Sequence, residues 1–66
     1  MRLSKRWIIG KLLALPESGM GYHTVDIYLK SGTVVKKVLI INCETVVDQG
    51  NLTFSENDIQ DIKLHQ

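Results

Sequence analysis

The stretch from Val25 to Ile41, VDIYLKSGTVVKKVLII, decides the fold of this chain. Its apolar residues Val25, Ile27 and Leu29 alternate with Asp, Tyr and Lys, which is the two-residue period of a strand with one buried face. Ser31-Gly32 follows, and a second apolar run then continues to the end of the stretch. A two-residue loop that contains glycine suits the primed turns of β-hairpins. The stretch therefore predicts a β-hairpin.

The two strands of this hairpin are predicted at residues 22–30 and 33–41, and their pairing contains one conflict. With Ser31-Gly32 as the loop, Val25 faces Val38, but Ile27 faces Lys36, which places a lysine among core positions. A β-bulge near Lys36-Lys37 removes the conflict, because an extra residue shifts the register and bends the strand. Long bent strands are typical of small barrels, so the pattern favours a curved sheet.

The segment before the hairpin is open to two interpretations. The β-branched pair Ile8-Ile9 after Trp7 favours a strand at residues 7–14. The alternative is a helix over residues 3–15, with Ser4 as its cap and Pro16 as its stop. Residues 16–21, which contain a proline and two glycines, predict a loop in either case.

The segment after the hairpin predicts a series of short elements. Asn42-Cys43 predicts a turn, followed by a strand at residues 44–48, a turn at 49–51 and a strand at 52–54. Ser55 with an acid three residues later is similar to a capping box, and it predicts one 3₁₀ turn. Ile62 and Leu64 alternate with polar residues and predict the last strand.

Length and composition bound the class of protein. The length of 66 residues predicts a single domain, residues 1–66, with a marginal core. A marginal core raises the expectation that apolar residues are buried against a second copy of the chain. Cys43 is the only cysteine, so no disulfide forms within the chain, and it has no short-range pairing with His23 or His65 for a metal. No cofactor is expected. A lone cysteine and the lack of any run of about 18 apolar residues predict a cytoplasmic protein without a membrane partner.

Charge is unevenly distributed along the chain although its net value is +1. The basic residues before Pro16 have no acid among them, and such a segment can find an acidic partner. Tyr28 is expected on the solvent face of its strand, where an aromatic ring can stack a base. The candidate contacts to a nucleic acid or a protein partner are Tyr28, Lys30, Lys36, Lys37, Arg2, Lys5 and Arg6. The alternative is that these lysines only solubilise the surface and protect an edge strand.

Catalysis is not predicted. His23, Asp26 and Cys43 have the residue types of a thiol hydrolase. However, His23 and Asp26 are three residues apart in a predicted strand, so they point to opposite faces.

The motif Val25-x-Ile27-Tyr28-Leu29-x-Ser31-Gly32 and the apolar strand after it resemble the first half of the Sm-like RNA-binding proteins, which include the bacterial host-factor RNA chaperone. That family has an N-terminal helix before five bent strands, and it forms rings that bind RNA. The order of elements is equally similar to the Src-homology-3 (SH3-like) barrels, in which a one-turn helix precedes the last strand.

The resemblance implies an all-β fold, a five-stranded antiparallel barrel of the SH3-like or Sm-like type. It does not extend to the RNA chaperone's Tyr-Lys-His-type motif, where this chain has Glu56 and Asp58, and acids repel phosphate. The expected function is therefore a non-enzymatic interaction module that self-associates. The alternative is an Sm-like RNA-binding ring.

Overall fold

The computed structural model describes residues 1–47 and 54–65. A helix, α1 (Arg6–Ala14), precedes three strands, β1 (Tyr22–Leu29), β2 (Val34–Ile41) and β3 (Thr45–Val46). A 3₁₀ helix (Glu56–Asp58) then leads into β4 (Ile59–Leu64). The strands form one antiparallel sheet in the order β3-β2-β1-β4, which curls into a half-barrel.

The prediction of a five-stranded barrel is wrong for the described part of the chain, where four antiparallel strands form an open half-barrel. Of the two interpretations of the N-terminal segment, the helix is confirmed as α1, and the strand at residues 7–14 is wrong. One face of the helix buries Ile8 and Leu12 completely in the same core as Val25 and Ile27 of the sheet. This burial outweighs the weak strand preference of two β-branched residues. The fold is thus mostly β with one short helix.

The start of α1 is held by a residue from the other end of the chain. The Glu56 carboxylate accepts hydrogen bonds from the backbone N–H groups of Ser4 (2.6 Å) and Lys5 (2.7 Å). It also accepts one from the Ser4 hydroxyl at 2.9 Å. A negative charge at this position satisfies exposed N–H groups and favours the positive end of the helix dipole. Ser4 therefore anchors the 3₁₀ segment instead of capping the helix with its own side chain, and the N-cap is Lys5.

The hairpin forms as predicted except at its loop. The backbone N–H of Leu29 donates to the carbonyl of Thr33 at 2.8 Å, and that of Gly32 donates to Leu29 at 2.9 Å. The loop therefore has three residues, 30–32, and not the predicted two. Gly32 has φ +96°, a backbone conformation that an L side chain disfavours, so the glycine serves the last loop position.

The predicted bulge is confirmed. Val25 pairs with Val38 as expected, whereas Ile27 pairs with Val35, so Lys36 and Lys37 together lie opposite Asp26. Lys37 has φ +57° and its backbone N–H donates to Asp26 Oδ1 at 3.2 Å. The bulge keeps both lysines out of the core and exposed.

The two outer strands of the sheet are both occupied by other groups of the chain. Along β3, Leu3 N–H donates to Glu44 O at 2.6 Å and Val46 N–H donates to Met1 O at 2.7 Å. Along β4, the pairing with β1 directs the backbone N–H of Asp61 toward β1 and the N–H of Ile62 away from the sheet.

Asp61 covers one of the outward N–H groups of β4. Its Oδ1 accepts the Ile62 N–H at 2.9 Å and also pairs with Lys11 Nζ of α1. Lys11 and the Ile62 N–H together hold the pKa of Asp61 below its ordinary value.

The second half of the chain follows the prediction in part. The 3₁₀ turn is confirmed, with Ser55 N–H donating to Asp58 Oδ2 at 2.8 Å. The last strand is confirmed and begins at Ile59. Of the strand predicted at 44–48, residues 45 and 46 form β3, residues 44 and 47 are not in a strand, and residue 48 lies outside the described residues. The predicted turn at 49–51 and residues 52 and 53 of the next strand lie outside the described residues, and Phe54 is not in a strand. In the described ranges, no helix has the length and apolar character that a membrane crossing requires.

Candidate binding site

The outer face of the sheet carries a cleft at the bulged end of the hairpin. Val25 and Ile27 of β1 point into the core, so the alternate residues Asp26 and Tyr28 point outward. Lys63 of β4 pairs with Asp26 across the sheet. The space between these side chains is a cleft of about 420 Å³. We call it the outer-face cleft, and it is lined by Asp26, Tyr28, Lys36, Lys63, Leu64 and His65.

Asp26 is the fixed group at the centre of this site. Its Oδ1 accepts a hydrogen bond from His65 Nδ1 at 2.8 Å and one from the Lys37 backbone at 3.2 Å. Burial alone would raise the pKa of Asp26, but the His65 and Lys37 hydrogen bonds and the charges of His65 and Lys36 outweigh it. The pKa therefore lies below its ordinary value, and the carboxylate is ionised at neutral pH.

His65 is oriented by this contact and by its own backbone. An ionised carboxylate only accepts hydrogen bonds, so His65 Nδ1 carries the proton and Nε2 is the ring nitrogen that Asp26 does not use. The backbone N–H of His65 donates to Thr24 O at 2.9 Å, which continues the pairing of β4 with β1. The ring is therefore positioned before any ligand arrives.

The two lysines give the cleft its positive charge. Lys63 Nζ lies 5.3 Å from the centre of the Tyr28 ring, within the range of a cation–π interaction. Within residues 1–47 and 54–65, no carboxylate is within ion-pairing distance of Lys36 or Lys63. The charge of Lys36 acts on Asp26, which already holds His65, and the charge of Lys63 acts on Asp61.

The seven predicted contact residues are not on one surface. Tyr28 and Lys36 line the outer-face cleft, and Lys37 adjoins it through its backbone. Lys30 instead lines a second cleft of about 360 Å³ beside the hairpin loop, with Leu29 and Phe54 among its neighbours.

The basic N-terminal residues have other contacts. Arg2 pairs with Glu44 at 3.4 Å, and its backbone forms a bridge with Thr45 beside β3. Lys5 caps α1, and Arg6 is exposed on the helix. The N-terminal residues are thus built into the fold rather than forming a free basic arm.

Sequence reasoning missed the contributions of Lys63 and His65 to this site. Both lie in the last strand, and only the pairing of β4 with β1 brings them to Asp26. The available signal was the alternation of Ile62 and Leu64 with polar residues, which predicts that positions 63 and 65 share a face. The partner strand cannot be read from that alternation.

His23 and Asp26 lie on opposite faces of β1, as predicted. His23 is buried, and its Nε2 donates to Leu15 O at 3.0 Å, which leaves Nδ1 facing Cys43 Sγ at 4.0 Å. Burial and the nearby charge of Glu17 raise the pKa of the Cys43 thiol, so it stays protonated at neutral pH. In the described part of the chain, no group of three or more potential ligands is placed to hold a metal ion.

Comparison of the chain with models of protein families, with curated proteins and with solved structures finds no match in any of the three. The likeness to Sm-like and SH3-like proteins therefore stays at the level of a small antiparallel β fold.

Proposed function

We propose that this protein is a non-enzymatic interaction module that binds an acidic segment of a protein partner in the outer-face cleft. The observation that carries this proposal is the placement of Lys36 and Lys63 on either side of a preoriented Asp26–His65 pair. Acidic side chains of the partner would pair with Lys36 and with Lys63, one on each side of Asp26, and Tyr28 would provide a flat apolar contact beside them.

Asp26 favours a peptide over a nucleic acid. A nucleic acid carries one negative phosphate at every nucleotide, and one of these phosphates would lie against the Asp26 carboxylate. A peptide can present an acid to the lysines and a neutral or donor group to Asp26. The cleft volume of about 420 Å³ is near the lower end of the range for ligand sites, which suits one or two side chains.

We propose no enzymatic role because Cys43 is not activated as a nucleophile. Cys43 has a nucleophilic side chain and lies next to a histidine, but its raised pKa keeps the side chain as a thiol. Its neighbour His23 is buried in the core and lines neither of the two clefts described above.

A single-stranded RNA-binding role is the second candidate, and the Tyr28–Lys63 contact favours it. A base could stack on the Tyr28 ring if Lys63 moved to a phosphate. Such binding depends steeply on salt, which separates it from recognition of a single carboxylate.

The test is a titration of the isotope-labelled protein followed by NMR, with a glutamate-rich peptide in one arm and a mixed-sequence single-stranded RNA in the other. The proposal expects the peptide to shift the amide signals of Tyr28, Lys36 and Lys63. Lys36→Gln should weaken binding, whereas Lys30→Gln, at the second cleft, serves as the matched control. Shifts caused only by the RNA, and lost as salt is raised, would establish the second candidate. No shift at these residues in either arm would remove both.

A further inference from the structure

The side of α1 that points away from the sheet is apolar except for Arg6. At 100° per residue, Gly10 lies at the centre of the solvent-exposed arc of the helix. Trp7 and Leu13 lie one turn to either side and are 45% and 72% exposed. We call this surface the outward face of α1, and it consists of Arg6, Trp7, Gly10, Leu13 and Ala14, all of which are exposed.

Within residues 1–47 and 54–65, no contact explains the glycine at the centre of this face. A Cβ added to Gly10 would meet no atom within 4 Å, and the residue is in the middle of a regular helix. Glycine destabilises a helix interior by about 1 kcal/mol relative to alanine. A position without a side chain between two large apolar residues forms a notch that admits close approach from outside.

The outward face is complementary to itself. A two-fold axis through Gly10, perpendicular to the helix, exchanges every pair of positions whose numbers add to 20. It places Trp7 of one copy on Leu13 of the other, and Arg6 on Ala14. Gly10 then lies against Gly10 of the second copy, where the helices approach most closely. The large Trp7 ring thus meets a smaller side chain, and the two contacts repeat by symmetry.

We infer that a second copy of this chain docks on the outward face of α1, with the two helices antiparallel and crossing at Gly10. Charge selects the antiparallel arrangement, because a parallel one would place Arg6 beside Arg6 of the second copy. In the antiparallel pair the two Arg6 residues are at opposite ends of the contact, roughly 12 Å apart along the helix. Antiparallel helix dipoles also attract each other.

Self-association through strand edges is less open than this route. Residues 1–3 bond along β3, and Asp61 covers the Ile62 N–H, one of the outward N–H groups of β4. The chain exposes 4327 Å², and a standard interface covers ~800 Å² on each partner. A nine-residue helix supplies only part of that area, so the dimer is weak, with a dissociation constant on the order of 10 µM or above.

The experiment is sedimentation velocity of the whole chain from ~1 µM to ~1 mM, combined with the fluorescence of Trp7, the only tryptophan. A monomer–dimer equilibrium with a blue shift of the emission is expected. Gly10→Ala should weaken dimerisation roughly tenfold or more, because each added methyl overfills the crossing point. The same variant should make the dilute monomer more resistant to urea, since alanine favours the helix. If Gly10 had only a structural role, the substitution would change dimer affinity and resistance to urea in the same direction.

A charge-pair experiment tests the antiparallel register. Trp7→Lys and Leu13→Glu should each be monomeric alone, and a mixture of the two should form a heterodimer through one Lys–Glu contact and one Trp–Leu contact. Val34→Lys, on the exposed outer face of the sheet, is the matched control and should dimerise like the unchanged chain. A monomer at every concentration would overturn the inference, as would a dimer that Val34→Lys breaks and Leu13→Glu does not. The inference extends the proposed function but is measured without any ligand of the cleft, so either can fail alone.

Discussion

The outer-face cleft and the outward face of α1 are two exposed surfaces that differ in how their side chains are held. In the cleft, Asp26 accepts hydrogen bonds from His65 and from the Lys37 backbone. On the helix, the side chains of Trp7 and Leu13 are largely in solvent. A surface of interlinked polar groups is preorganised for a small polar group, and an apolar surface gains most from a large partner that excludes water. Two kinds of contact are therefore available on one small fold.

The largest expected effect on stability is the difference between the buried and exposed sides of α1, which two adjacent leucines test. Leu12→Ala should lower the free energy of unfolding by about 2–5 kcal/mol, because Leu12 is fully buried and the change leaves a cavity. Leu13→Ala, one residue further, should change it by less than about 0.5 kcal/mol, because Leu13 is 72% exposed. Urea denaturation at micromolar protein concentration measures both. Equal losses would mean that the outward face of α1 is part of the core.

A smaller effect is expected in the cleft. Asp26→Asn should lower the free energy of unfolding by about 1 kcal/mol at pH 7, because the amide accepts the His65 and Lys37 hydrogen bonds more weakly than the carboxylate does. The pKa of Asp26 is lowered in the folded chain, so its contribution is complete above the ordinary carboxyl range and is lost as the pH falls through the folded pKa. The difference between the two proteins should therefore shrink from pH 6 to about pH 2.

Urea denaturation at several pH values measures this difference. A gap that stays constant over the whole pH range would show that Asp26 acts through its shape rather than its charge.

The smallest effect concerns the backbone under the cleft. Lys37→Gly should raise the free energy of unfolding by about 0.5 kcal/mol, because glycine relieves the strained φ of +57° and this gain exceeds its entropic cost. The hydrogen bond to Asp26 comes from the Lys37 backbone and is retained. Thermal unfolding of this variant beside Lys36→Gly, at the neighbouring position, checks the assignment. Stabilisation by both substitutions would point to charge repulsion between the lysines instead.

The local parts of the fold could be predicted from the sequence, and the long-range parts could not. The alternation through Val25 and Ile27 and the conflict at Lys36 were sufficient for the two strands and the bulge between them. The loop length was wrong because Gly32 serves a three-residue loop as readily as a two-residue one. At both positions the deciding interactions lie within about ten residues along the chain.

The helix and the cleft depend on partners that are distant in sequence. The segment at Ile8 folds as a helix because one helical face covers the open side of the sheet, and propensity alone gave the wrong preference. The Asp26–His65 pair joins residues 39 positions apart through strand pairing. The site predicted from the sequence therefore included Tyr28 and Lys36 but omitted the histidine that completes it.

The Asp61 carboxylate also bears on how this protein behaves at high concentration. It occupies an N–H that would otherwise be available to a carbonyl of a neighbouring molecule, and Lys11 holds it there from the helix. Sheets with uncovered borders are the templates on which fibrils grow. Acidification or loss of the helix would remove this contact and leave the Ile62 N–H open to a neighbouring molecule.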